Sequence, residues 1–155
     1  MSFRIRGLDP APFRSLYGLP AAALAAAGAE RHVADRAPGF PDRVELRDAV
    51  PGETLLLVNY LHQPAANPYR ASHAIFVREG ALRAYDAVDE IPAALASRPL
   101  SLRAFDAADR LVDAELASGD EQPVAIRRLL ANPQVAYLQA HYARPGCYAA
   151  RIERD

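Results

Sequence analysis

Thr54-Leu-Leu-Leu-Val-Asn-Tyr-Leu-His62, followed after a polar segment by His73-Ala-Ile-Phe-Val-Arg78, decides the fold of this chain. The unbroken run Leu55-Leu56-Leu57-Val58 suits a strand covered on both faces, which places it centrally in a sheet. Residues 75–77 are apolar too, and the connection 63–72 carries Pro64 and Pro68, which stop regular structure. The two strands therefore pair, and a short connection makes the pair antiparallel.

Outward from this pair the signals alternate between strand and helix. Phe3 and Ile5 alternate with Arg4 and Arg6 as a half-buried strand does. Asp9 and Pro10 then start a helix running to about Tyr17, where Gly18 ends it, and Pro20 opens a second helix through an alanine run to Gly28. Residues 37–42 form a loop that leads into Arg43-Val-Glu-Leu46, whose alternation predicts a strand. A short helix is expected over 92–97. A hairpin follows over 100–106 and 111–118, with Leu100, Leu102, Val112 and Leu116 on its apolar faces. Residues 123–131 place Ile126, Leu129 and Leu130 on one side of a helix, with Arg127 and Arg128 toward water. Residues 135–142 and 147–154 close the chain as a second hairpin. The expected architecture is α+β: a mainly antiparallel sheet of about six to eight strands with a few short helices packed on it, one domain over 1–155.

Composition narrows the function classes. All 18 basic side chains are arginine, set among 19 acidic ones for a net charge of −1, and no basic stripe is present to neutralise a phosphate backbone. Nucleic acid is not an expected partner. The uncharged stretch 16–29 is mostly alanine and too weakly apolar to span a bilayer, so no membrane partner is expected either. The single cysteine, Cys147, has no internal partner, and the first ten residues carry charges where a secretory leader is apolar. Both features point to the cytoplasm. No Gly-x-Ser-x-Gly elbow, phosphate loop or dinucleotide fingerprint occurs, and no cofactor is expected.

The chemistry-bearing residues gather at strand ends. His62, His73 and His141 lie there, and an even-length connection sets His62 opposite His73; His32 reads as structural. With Glu53 or Asp48 the three histidines would make a metal-ligand set, the basis for a metal-dependent hydrolase, although no His-x-x-x-His or paired-cysteine spacing supports it. Cys147 with His141 as its base would make a nucleophile. Strand parity places the two on opposite faces, which leaves a buried, inert cysteine. The loop Asn67-Pro-Tyr-Arg-Ala-Ser-His73 is the most unusual stretch: Arg70 can hold an anion in its planar fork, Tyr69 and Ser72 can add hydroxyl bonds, and Arg103 can complete the clamp. The expected site is thus His62, Tyr69, Arg70, Ser72, His73, Arg103 and His141, recognising a small anionic metabolite at one end of the sheet, with catalysis left open. In a structural role, Arg70 and Arg103 would instead pair with Asp48, Glu53 or Asp106. The alternative from another class is a non-catalytic protein-interaction or assembly module, in which exposed strand edges or the alanine-rich helix pair with a partner or with a second copy as a homodimer.

Several stretches carry a family likeness: Arg43-Val-Glu-Leu-Arg-Asp48-Ala, Pro51-Gly-Glu53, Asn67-Pro-Tyr-Arg-Ala-Ser72, Ala74-Ile-Phe-Val-Arg78, Leu100-Ser-Leu-Arg103, and His141 through Gly146-Cys-Tyr-Ala-Ala-Arg-Ile-Glu-Arg154. Over nearly its whole length the chain resembles the bacterial family filed as domain of unknown function 1203. The resemblance implies a bacterial source, one continuous domain and no known activity. The family pattern has a cysteine where Asp42 stands and an asparagine where Tyr142 stands, so a pair of thiols is not available to this member.

Overall fold

The computed structural model describes all residues, Met1–Asp155, as two antiparallel sheets with short helices. Nine strands run in chain order: β1 (Phe3–Arg6), β2 (Glu30–Val33), β3 (Thr54–Gln63), β4 (Ala71–Arg78), β5 (Asp86–Val88), β6 (Leu100–Phe105), β7 (Leu111–Ala117), β8 (Tyr137–Tyr142) and β9 (Tyr148–Arg154). Helices α1 (Ala21–Ala26), α2 (Ala93–Ala96) and α3 (Glu121–Ala131) and a 3-10 turn at Ala11–Leu16 complete the α+β fold. The larger sheet has the order β5-β1-β9-β8-β6-β7 and the smaller β2-β3-β4. No helix is long and apolar enough to cross a membrane.

Period-two alternation gives the large sheet two unlike faces. Leu100, Leu102, Leu138, Ala140, Ile152, Phe3 and Ile5 line one face. Helix α3 covers it because Gln122, Ala125, Ile126, Leu129 and Leu130 recur at three- and four-residue spacing and are all buried. Each large aliphatic side chain there contributes roughly 1.5–3 kcal/mol by leaving water. Gln122 is tolerated because its side-chain amide donates to the carbonyls of Leu95 and Arg98. The other face presents Ser101, Arg103, Gln139 and His141, and the strand-end part of the small sheet packs against it. Further along, the small sheet packs Leu56, Val58, Ile75 and Val77 against Phe13 and Leu24 of the N-terminal segment.

Four readings of the sequence change. Arg43-Val-Glu-Leu46 is not a strand: it makes only isolated bridges at its margins, and Leu46 has φ 52°. Asp42 turns the chain there, its carboxylate accepting from the backbone N–H of Val44, Glu45 and Arg78 at 3.2, 2.6 and 2.8 Å. The alternation arises because Val44 and Leu46 enter different cores. The β3–β4 connection spans 64–70, an odd number of residues; Gln63 pairs with Ala71, the register shifts between Tyr60 and Gln63, and Tyr60, not His62, pairs with His73. Leu116 is 72% exposed, because the register opposes Leu100 to Ala117 and Leu102 to Glu115. Finally, β2 and β5 are short strands that the sequence reading left as connections.

A candidate anion cavity beside a histidine cluster

The three strand-end histidines meet where the two sheets face each other. His62 stacks on His73 with ring centroids 4.5 Å apart and planes 14° apart, and His141 stands edge-on to both at 5.0 and 5.4 Å. Tyr148 stacks on His62 at 5.3 Å. Each ring is oriented by a bond. The Gln139 side chain donates to the His62 carbonyl at 3.0 Å, which aims its oxygen at His62 Nδ1, 2.8 Å away. His73 Nδ1 accepts from the Tyr148 backbone N–H at 3.2 Å, which leaves its ring proton on Nε2. His141 Nδ1 donates to the Gly146 carbonyl at 3.0 Å, while its Nε2 faces the Gln139 oxygen at 3.3 Å. His62 Nε2 is buried and without a partner.

Burial holds all three imidazoles toward the neutral form, and the Arg103 guanidinium adds to that effect. His141 is pushed down to about 3, burial outweighing the bond to Gly146 that favours its charged form. Arg103 stands beside Gln139 across the β6–β8 pair. Stacked rings do not converge on a common point, and no group of three or more His, Cys, Asp or Glu is placed to hold a metal ion. The carboxylates considered as further ligands are engaged elsewhere: Glu53 with Arg47 at 2.7 Å and Asp48 with Arg98 at 2.6 Å. These pairs also remove Asp48 and Glu53 as partners for Arg70 and Arg103.

The loop half of the expected site does not join the cluster. Tyr69 is 39% exposed and rests its ring edge on Phe105, 6.3 Å between centroids. Arg70 and Ser72 are exposed, and the only polar contact of the Arg70 side chain is with the Ala65 carbonyl at 3.5 Å. Asn67 pins the loop instead, donating to the carbonyls of Ala108 and Asp109. The structure therefore brings together His62, His73, His141 and Arg103, and leaves Tyr69, Arg70 and Ser72 outside.

A separate cavity of about 440 Å³ is lined among others by Arg43, Arg98, Tyr142, Arg144 and Cys147. Arg43 is only 2% exposed, yet its partners are the carbonyls of Tyr148 and Pro41, at 2.8 and 2.6 Å, and the sulfur of Cys147 at 3.1 Å. A guanidinium has five N–H bonds, so two remain uncommitted; no carboxylate forms an ion pair with Arg43, and Asp48, paired with Arg98, acts on it only at longer range. The Tyr142 ring lies between the guanidinium groups of Arg43 and Arg98, 4.9 and 5.2 Å from its centroid. Its buried hydroxyl has no partner, and burial raises it to about 12, so at neutral pH it keeps its proton and can donate. Arg144 is exposed at the rim.

Cys147 is half-buried on this cavity wall, not sealed in a core. His141 points to the opposite face of the hairpin, toward Tyr148, as parity predicts. Arg43, Arg98, Tyr142 and Arg144 were not singled out as site residues from sequence. They come from separate loops and a strand end, and no local spacing marks them. Asp42 and Tyr142 adjoin Arg43, one in sequence and one by stacking.

A family model described as protein of unknown function (DUF1203) matches residues 39–154. No curated protein and no solved structure matches the chain. The matched span contains every residue lining the cavity and all three clustered histidines, and leaves out β1, the first two helical segments and β2.

Proposed function

We propose that this chain, which belongs to the DUF1203 family, binds a small anionic molecule in the cavity walled by Arg43, Tyr142 and Arg144. One observation carries the reading: Arg43 is a buried guanidinium with unused donors and no carboxylate partner, facing a hollow large enough for a metabolite. An unpaired buried charge is costly, and an anion that accepts its free N–H bonds recovers that cost. Arg98 is already neutralised by Asp48 and frames the wall through Tyr142. The anion class is the one expected from sequence, but its seat moves from the Tyr69–Arg70 loop to the neighbouring cavity. An unpaired thiol at such a site suits the reducing interior of a bacterial cell.

Pairing of two copies along a sheet edge has weaker support, since the outer strand β7 carries Asp113 and Glu115, charges that discourage edge-to-edge association.

Calorimetric titration at low ionic strength with phosphate, sulfate and citrate tests the reading. At least one should bind saturably, and Arg144→Gln, at an exposed position with little structural cost, should weaken it about tenfold, the worth of one charge-assisted bond. The reading fails if none of the three binds at millimolar concentration, or if Arg144→Gln and Arg43→Gln bind as the wild type does.

A further inference from the structure

Building on the anion reading of the cavity, we propose that Cys147 is a nucleophile placed to capture an anionic electrophile: a small molecule carrying a carboxylate or phosphate next to a thiol-reactive carbon. Three observations place the parts. The sulfur lies on the cavity wall with Arg43 donating to it at 3.1 Å, so one guanidinium can partner the charge of a reacting thiolate and still offer N–H bonds to a ligand. Tyr142, 2% exposed, lines the same cavity, and its hydroxyl is buried with no partner in the protein. Arg144 stands at the mouth, so an incoming anion meets positive charge before it reaches the sulfur.

In the reaction, the Cys147 thiolate attacks the electrophilic carbon, a carbon–sulfur bond forms, and the carbon's bond to its leaving group breaks with the electron pair departing on that group. The thiol proton passes to solvent. With iodoacetate as the probe, the products are the carboxymethyl thioether and iodide, and no oxidant or reductant is consumed. His141 plays no part as a base, since it occupies the other face of β8 and β9.

The test compares iodoacetate with its neutral analogue iodoacetamide on the full-length protein, following alkylation of the single thiol by intact mass. The ratio of the two rates is measured in the folded protein and again in the same chain unfolded in urea, which supplies the intrinsic ratio. The expected result is a folded-state ratio at least about tenfold higher, with iodoacetate alkylation saturating, excess phosphate or citrate slowing iodoacetate but not iodoacetamide, and Arg144→Gln returning the ratio toward the unfolded value. A folded-state ratio equal to the unfolded one overturns the proposal. Calorimetry separates the two ideas: anion binding with an unselective thiol removes the nucleophile and leaves the binding site, whereas loss of anion binding removes both.

Discussion

Between pH 7.5 and 5 the folded state should lose about 2 kcal/mol through His141 alone, and more through His62 and His73. The sign follows from where the protons bind. His141 titrates near its ordinary 6.5 in the unfolded chain and at about 3 in the folded one, so between those values the unfolded chain holds more protons and stability rises with pH. The contribution is complete above pH 6.5 and is lost at roughly 1.4 kcal/mol per pH unit below it. His62 and His73 shift in the same direction for the same reason, burial first. Carboxylates act in a lower window: Glu53, held at about 2 by Arg47, gives stability that is present above pH 4.5 and disappears as pH falls toward 2. Urea unfolding midpoints at pH 7.5, 6 and 5 check the effect, and His141→Gln should flatten the profile. Identical pH dependence in the wild type and in that variant would refute the assignment.

Gly7→Ala should destabilise the protein by about 3 kcal/mol and weaken anion binding with it. A Cβ on Gly7 would lie 2.9 Å from the Val44 carbonyl carbon and closer still to its oxygen. That oxygen cannot withdraw cheaply, since it accepts from the Tyr85 backbone N–H at 2.8 Å, while Leu8 N–H donates to the Arg43 carbonyl at 2.8 Å and Gly7 N–H to Tyr85 at 2.9 Å. Relief therefore moves residues 43–44 away from β1 and takes the Arg43 guanidinium off Tyr148 and Cys147. Denaturant unfolding and the phosphate, sulfate and citrate titrations measure the two consequences. An unchanged unfolding midpoint in Gly7→Ala would show that the close approach has no energetic weight.

The parts of the fold that sequence revealed are those where pattern and burial agree. The Leu-Leu-Leu-Val run forms the middle strand of its sheet, and 121–131 forms a helix on the predicted face. The three histidines were legible as residues near the strand ends, but their pairing was not: His73 opposes Tyr60, and the register shifts before Gln63. Arg43 was not, since Val44 and Leu46 imitate a strand while the Asp42 side chain, invisible to periodicity, bends the chain. Strands β2 and β5 are short and rich in charge, Glu30-Arg-His-Val33 and Asp86-Ala-Val88, and their existence depends on partners supplied from elsewhere. The cavity escaped for a similar reason: Arg43 and Cys147 are brought together across 104 residues, and no window of sequence contains both.

The strand order has a consequence for how the protein is made. β1 precedes the other eight strands along the chain, yet it lies between β5 and β9, and β9 is the ninth in chain order. One of its edges must wait, unpaired, for residues 151–154, and Arg43 waits as well, because its Tyr148 and Cys147 partners belong to the same β8–β9 hairpin. A nascent chain that stops short of residues 147–154 has neither the second partner of β1 nor the carbonyl and sulfur that hold Arg43.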